Sequence, residues 1–303
     1  MPASKKRCEY VSELVQKIGM NRAVDKLKLP DRTVRRYLRR HNQLSKDGKA
    51  KVLLFDIETA PAEVFVWSFG EQRIHIAQEI QDWNVICWCG KWLFDDKLLG
   101  AVQTPQEARD RDDKRIVQKL WEAIDEADIL IGHNLIGFDR KKANTKFLLH
   151  GLKPTSPYQT IDTLKVARRE FAFLSNKLDY LCKRLGLDTK LETGFELWKD
   201  CLKGNRKALE HMFEYCGQDV AILEDLYLKL RPWIKSHPNI GLYMSGTGSN
   251  CPNCGSEKVE YHSKPYYTPT GQYQSFRCQD CGAFSRSRFA EKRPRELLRS
   301  VAR

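Results

Sequence analysis

Leu53-Leu54-Phe55-Asp56-Ile57-Glu58-Thr59 carries two acids inside an apolar run. Val52–Thr59 is rich in β-forming residues and reads as a strong strand. Residues two apart on a strand share a face, so Asp56 and Glu58 point one way while Phe55 and Ile57 pack behind them. Two carboxylates fixed on a buried strand are expensive unless something positive sits between them. A divalent cation is the usual solution, and hard oxygen ligands favour magnesium or manganese. Taken alone, the pair is also compatible with an exposed edge strand bearing two solvated acids.

Working outward, residues 51–235 alternate strands and helices. Val64–Phe69 and Val85–Leu93 are further strand candidates, and residues 111–126 form an amphipathic helix with Ile116, Leu120 and Ile124 on one side. The strand Ile129–His133 follows. Helices are expected over 140–150, 163–170, 176–185 and 206–231, with Ser175 and Asn205 capping the last two. This interleaving argues for one α/β domain. Two more acidic sites fall within it. Ile131-Gly132-His133-Asn134-Leu135-Ile136-Gly137-Phe138-Asp139 leaves a strand and enters a helix, placing Asp139 at the helix start. Tyr215 and Asp219 lie four apart inside the long helix, so they share one face, expected to be turned to the sheet.

Asp56-x-Glu58, then Asn134-x-x-x-Phe138-Asp139, then Tyr215-x-x-x-Asp219, in that order, resemble the three motifs of the DEDDy exonuclease family. That family includes the proofreading 3′–5′ exonuclease domains of family A and B DNA polymerases and the RNase D-like exoribonucleases. The resemblance spans roughly residues 50–232 and extends to Ser175-Asn-Lys-Leu-Asp-Tyr-Leu between the second and third motifs. The family's histidine variant places His five residues before the last Asp, where this chain has Glu214, and His211 is off register, so the tyrosine variant fits. The resemblance implies an RNase H-like mixed sheet flanked by helices and a two-metal mechanism using two Mg2+ or Mn2+. Asp56, Glu58 and Asp219 would hold the first ion, and Asp56 and, through water, Asp139 the second, clamping the attacking and leaving oxygens of a phosphodiester. Tyr215 would orient the attacking water, and 5′-mononucleotides would leave one at a time from a free 3′ end. Asn134 and Phe138 would touch the terminal nucleotide, although helix capping is an equal use for Asn134. Asp162 fits a helix N-cap better than a catalytic role. His133, Cys87 and Cys89 fit local packing better than chemistry.

The chain has 303 residues, of which 41% are hydrophobic and 30% charged, a globular composition. No apolar stretch is long enough to span a membrane, and Met1-Pro-Ala-Ser-Lys-Lys-Arg lacks the apolar region of a secretory signal. A cytoplasmic setting is expected, and by analogy the combination of parts suits a bacterium or a phage-infected host. The net charge of +13 is placed unevenly. Residues 1–50 carry fourteen Lys and Arg against five acids, residues 236–303 carry ten against five, and the middle is nearly neutral. Basic ends around a neutral centre point to a polyanionic partner, nucleic acid above all, or serve only solubility.

Of ten cysteines, Cys8, Cys87, Cys89, Cys182, Cys201 and Cys216 sit in periodic apolar segments and read as buried thiols. Cys251-Pro-Asn-Cys254-Gly and Cys278-Gln-Asp-Cys281-Gly are matched knuckles, and four sulfurs in tetrahedral array select one structural Zn2+. Their spacing resembles the zinc-ribbon class, over short aromatic strands at 251–285. Tyr261, Tyr266, Tyr267, Tyr273 and Phe276, with Lys264, Arg277, Arg286 and Arg288, suit either a small core or stacking on single-stranded nucleic acid.

Residues 9–41, within a module at 1–43, read as three helices. Val11, Leu14, Val15 and Ile18 line the first, Ala23, Val24 and Leu27 the second, and Val34, Tyr37 and Leu38 a third opened by Pro30-Asp31. They resemble a helix-turn-helix whose last helix would present Arg32, Arg35, Arg36, Arg39 and Arg40 to DNA. Residues 44–50 and 236–250 read as linkers and 286–303 as a basic tail with a short helix. The expected architecture is an α/β RNase H-like exonuclease domain at 51–235, with a small all-α module before it and a small β zinc ribbon after it. The expected function is a 3′–5′ exonuclease acting on DNA in proofreading or repair, with a DNA polymerase or other replication protein as a candidate partner. The competing readings are an RNase D-like exoribonuclease and a non-catalytic DNA-binding adaptor.

Overall fold

The structure is a computed structural model and describes residues 10–11, 13–15, 17, 20–29, 33–34, 37, 50–188, 193–244, 249–294, 296 and 298. Two compact units divide the chain, one of Lys51–Tyr227 and one of Met1–Ala50 with Leu228–Arg303.

In the second of these units, residues 10–11, 13–15, 17, 33–34 and 37 have helical backbone, and helix α1 spans Met20–Leu27. Val11, Val34 and Tyr37 are buried together, with Val15, Val24, Leu27 and Leu29 packed against them. All but Leu29 are residues whose helical spacing predicts an inner face. Arg32, Arg35, Arg36, Arg39 and Arg40 lie outside the described residues, as do Ile18, Leu38 and the expected cap Asp31.

The larger unit is built on β1 (Val52–Thr59), β4 (Val85–Trp92), β5 (Leu99–Val102), β6 (Ile129–Gly132) and β7 (Gln159–Asp162), in the sheet order β5-β4-β1-β6-β7. β1 pairs antiparallel with β4 and parallel with β6; β4–β5 is antiparallel and β6–β7 parallel. β1 is thus the central strand rather than an edge strand, although its pairing with β6 ends at Leu54, so that Asp56 and Glu58 are paired only to β4 and are half-buried. Around the sheet run α2 (Pro105–Asp110), α3 (Lys114–Asp125), α4 (Asp139–Leu149), α5 (Thr163–Glu170), α6 (Leu178–Arg184), α7 (Glu196–Leu202) and α8 (Arg206–Leu230). This is the mixed, helix-flanked α/β sheet expected from the sequence. Leu53, Phe55 and Ile57 pack against Ile116, Val117, Leu120 and Ile124 of α3 and Phe147 of α4. Each such fully buried side chain contributes roughly 1.5–3 kcal/mol of transfer free energy.

Several expectations need correction. The run Val64–Phe69 is not a strand. Only β2 (Glu63–Val64) pairs, with β3 (Glu79–Gln81); the residues beyond it find no ladder and leave Phe65, Trp67 and Phe69 exposed. The helix expected over 111–126 is α3 and starts later, at Lys114, because Arg111 turns left-handed (φ 57°) as the C-cap of α2. Ser175 does not cap α6; Lys177 is at that position, while Ser175 Oγ accepts from the Lys177 N–H at 3.4 Å. Asn205 does cap, accepting from the N–H groups of Lys207 and Ala208. β5, β7, α2 and α7 carry no strong periodic signal and were not expected.

In the smaller unit, β8 (Val259–Thr268), β9 (Gly271–Cys278) and β10 (Phe284–Arg286) form an antiparallel sheet in the order β10-β9-β8. Residues 287–294 run on without helix, touching back through a Gln272–Lys292 bridge. The short helix expected in the tail is absent from its described residues. Among the described residues, no helix is long and apolar enough to cross a membrane.

Candidate active site

Asp56 and Glu58 stand on the face of β1 opposite the Leu53–Phe55–Ile57 core, paired across to Cys89 and Cys87 of β4. α8 lies over this face. Cys87 Sγ donates to the Met212 carbonyl (3.8 Å), Cys89 Sγ to the Phe213 carbonyl (3.4 Å), and Cys216 Sγ to the Asp56 carbonyl (3.5 Å). Gly217 faces Cys89 here, where a Cβ would stand 3.9 Å from its Sγ. The helix thereby turns Tyr215 and Asp219 inward, 5% and 4% exposed. Carboxylate oxygens of Asp56, Glu58 and Asp219 lie within 4.8 Å of one another.

Asp139 enters from the loop after β6. Asn134 takes a left-handed conformation (φ 70°), one that asparagine tolerates better than most residues. The loop is tied down by Asp162, which accepts from the N–H groups of Asn134 and Ile136 and also caps α5 through Leu164 and Lys165. The capping role expected of Asp162 thus holds, and it also shapes the loop delivering Asp139. Asn134 does not cap α4; Phe138 occupies that position. His133 bonds Thr163 and the Asn176 carbonyl, a local role.

The electrostatics follow from this crowding. Burial first, then the charges of Cys216, Asp139, Glu58 and Asp219, push the Asp56 carboxyl well above the carboxylate range. Burial pushes Asp139 up to about 7, against hydrogen bonds from its own N–H and that of Ile57. Carboxyls crowded this way share protons or accept a cation between them. The donor set consists of hard carboxylate oxygens converging from a strand and a helix, so it fits a divalent ion of the magnesium or manganese type.

A family model of the RNase H superfamily matches residues 53–231, from β1 to the end of α8. The chain belongs to the RNase H superfamily. RNase H-like proteins are nucleases that employ divalent metal ions, and the acid cluster lies inside the matched span. Among solved structures, the family B DNA polymerase from the hyperthermophilic archaeon Pyrobaculum calidifontis is similar at 16% identity. The match covers 61% of this chain and 25% of the polymerase, with a TM-score of 0.46. The chain therefore spans about a quarter of that protein. No curated protein sequence matches it.

Beside the acids of this RNase H unit lies a cavity of about 440 Å³, lined by Thr59–Ala62, Trp83, Lys142, Phe195 and Trp198. Trp198 meets Tyr215 edge-on at 6.2 Å between ring centroids. Lys142 Nζ sits 3.6 Å from the Trp83 ring centre and 5.5 Å from that of Phe138. Reasoning from sequence singled out none of Trp83, Lys142, Phe195 or Trp198. Lys142 carried one usable signal, its position one helical turn after Asp139. Cys216, expected as a buried thiol, is buried and lies against Asp56.

In the smaller unit, Cys251, Cys254, Cys278 and Cys281 also converge within 4.8 Å. Cys251–Cys281 and Cys254–Cys278 sulfurs are 3.6 Å apart, too far for a disulfide and close to the roughly 3.8 Å edge of a tetrahedron with about 2.3 Å Zn–S bonds. The knuckles match. Gly255 N–H donates to the Cys251 carbonyl and Gly282 N–H to the Cys278 carbonyl, with φ 74° and 80° that only glycine adopts readily. Four soft sulfurs fit zinc.

Proposed function

We propose that the chain is a DEDDy-type, metal-dependent 3′–5′ exonuclease acting on single-stranded or frayed 3′ ends of DNA. The observation that carries the reading is the convergence of Asp56, Glu58 and Asp219, with Tyr215 and Asp139 buried on the elements that border them. Asp56, Glu58, Asp139 and Asp219 would hold two Mg2+ or Mn2+. Bound there, the ions supply Lewis acidity, making water nucleophilic near neutral pH and neutralising the phosphodiester's developing charge. The chain's own residues do the rest. Tyr215 orients the attacking water rather than deprotonating it, phenols being weak acids that make poor bases. Trp198 holds the Tyr215 ring from the side. The aromatic walls of the cavity suit a nucleobase, and Lys142 suits a backbone phosphate.

In this reading, residues 1–43 are a helix-turn-helix in which Arg32, Arg35, Arg36 and Arg39 contact DNA. Residues 44–50 and 236–250 are linkers, 251–285 a zinc ribbon holding one Zn2+, and 286–303 a basic tail. A helix entering a major groove argues for DNA, since A-form RNA closes that groove to side chains. The setting would be replication or repair in a bacterial or phage-infected cytoplasm, beside a polymerase. The test is purified protein and an Asp56→Ala variant on 5′-labelled single-stranded DNA and RNA with magnesium. A one-nucleotide ladder on DNA, lost in the variant, supports the proposal. A ladder on RNA alone would make the chain an exoribonuclease, and tight DNA binding with no ladder a binding protein.

A further inference from the structure

The three-stranded sheet of the smaller unit has two unlike faces. Pairing across the strands settles which side chains share a side: Tyr266 is opposite Tyr273, His262 opposite Ser275, and Phe284 and Glu260 opposite Arg277, with Arg286 opposite Ser275. Alternation along β9 puts Tyr273, Ser275 and Arg277 on one face, and so all their partners. Contacts agree. The Arg286 guanidinium lies 4.0 Å from the Tyr273 ring centre and 5.9 Å from that of Tyr266. His262 meets Phe284 edge-on at 5.1 Å, and Arg277 sits 5.5 Å from the Phe284 ring. The other face carries Tyr261, Tyr267 and Phe276, with Cys278 and Val259 leading into the cysteine cluster.

The first face is no core. Tyr266 and Phe284 are 51% and 56% exposed, and Arg277 and Arg286 are exposed. Large rings and guanidinium planes are interleaved and left in solvent, on a segment with ten Lys and Arg against five acids. The one acid on this face, Glu260, lies at the Cys278 end of the sheet and is bonded by Gln279 Nε2 at 2.6 Å. We infer that this face is a stacking platform for single-stranded nucleic acid, with unpaired bases laid on Tyr266, Phe284 and the Tyr273-backed Arg286. A guanidinium held flat on a ring offers its other side to a base, and its edge to phosphate. Stacking tolerates any sequence, because every base has a π-face. Duplexes hide those faces, so single strands are selected.

The opposite face supplies the control. Binding of fluorescein-labelled oligothymidylate to the full chain is measured by anisotropy in an Asp56→Asn background, where cleavage does not enter. Its outcome is thus separable from that of the exonuclease proposal. Tyr266→Ala and Phe284→Ala should each weaken binding by about tenfold. Arg286→Met should weaken it and reduce the slope of log Kd against log salt by about 0.7. Tyr261→Ala and Tyr267→Ala, at residues 60% and 64% exposed on the other side, should leave it unchanged. Zinc content of every variant reports whether the sheet is intact. As a second measurement, an iodouracil oligonucleotide should photo-cross-link to Tyr266, Tyr273 or Phe284. A deoxy or ribo strand bound this way sustains the inference. Equal loss from both faces, no loss from the first face in zinc-loaded variants, or tighter binding of duplex through the same residues would overturn it.

Discussion

Lys91→Met should cost this fold more than most single substitutions, and the geometry says how much. Lys91 Nζ lies 2.5 Å from Glu224 Oε2, with both side chains about nine-tenths buried, while Glu224 Oε1 accepts the Phe94 N–H at 2.8 Å. The pair pins α8, the helix carrying Tyr215 and Asp219, to the end of β4. Methionine keeps the stem's volume but leaves a buried carboxylate facing one neutral donor. Removing one partner of such a pair costs about 3–5 kcal/mol, chiefly through the stranded charge. With a slope near 2 kcal/mol per molar urea, the unfolding midpoint should fall by about 2 M. Urea unfolding followed by tryptophan fluorescence reads this directly, because Trp83, Trp88, Trp92 and Trp121 pack in or against the same core. Adding Glu224→Gln removes the stranded charge and keeps an acceptor for Phe94. The double variant should therefore recover to within about 1 kcal/mol of the parent. A Lys91→Met cost below about 1 kcal/mol, or a double variant less stable than the single, would refute the argument.

Metal analysis should find one zinc per chain, and Cys254→Ser should lose it together with the ordered β8–β10 sheet, seen as loss of near-ultraviolet tyrosine dichroism. Glu107 is held to about 2, below its ordinary 4.5, first by Arg115, which bonds both its oxygens at 2.7 Å, and then by Thr104. Its folded pKa is depressed, so its contribution is complete above pH 4.5 and fades as pH falls towards 2. Glu107→Gln should therefore lower stability by only about 1 kcal/mol at neutral pH, solvent screening being strong, and calorimetry should see that difference shrink through this window. Gly137→Ala would put a Cβ 2.5 Å from Asn134 Oδ1, but that oxygen ends an exposed side chain free to swing aside, so the thermal midpoint should correspond to a loss of no more than about 1 kcal/mol.

The parts legible in the sequence were those with a strong local period. β1 could be read because alternation separated its acids from its apolar residues, and α8 because twenty-five residues sustain a helical pattern. Asp162 and Asn205 were legible as caps because capping is decided within three residues. What stayed hidden was decided at a distance. Val64–Phe69 has strand composition but no neighbour to pair with. β5 and β7 are four residues each, weakened by Gly100 and by the polar Gln159-Thr160, and exist because β4 and β6 offer them edges. The cavity beside the acids is assembled from four separated segments, and no window of sequence contains it.

Cys87, Cys89, Cys182, Cys201 and Cys216 are all without solvent exposure inside the RNase H unit. None can meet an alkylating reagent until the region around it opens. The unit therefore carries its own stopwatch: the rate at which each thiol is labelled, resolved by mass spectrometry, times the breathing of the sheet, of α6, of α7 and of α8 separately. Cys216 would time the ground directly under Asp56.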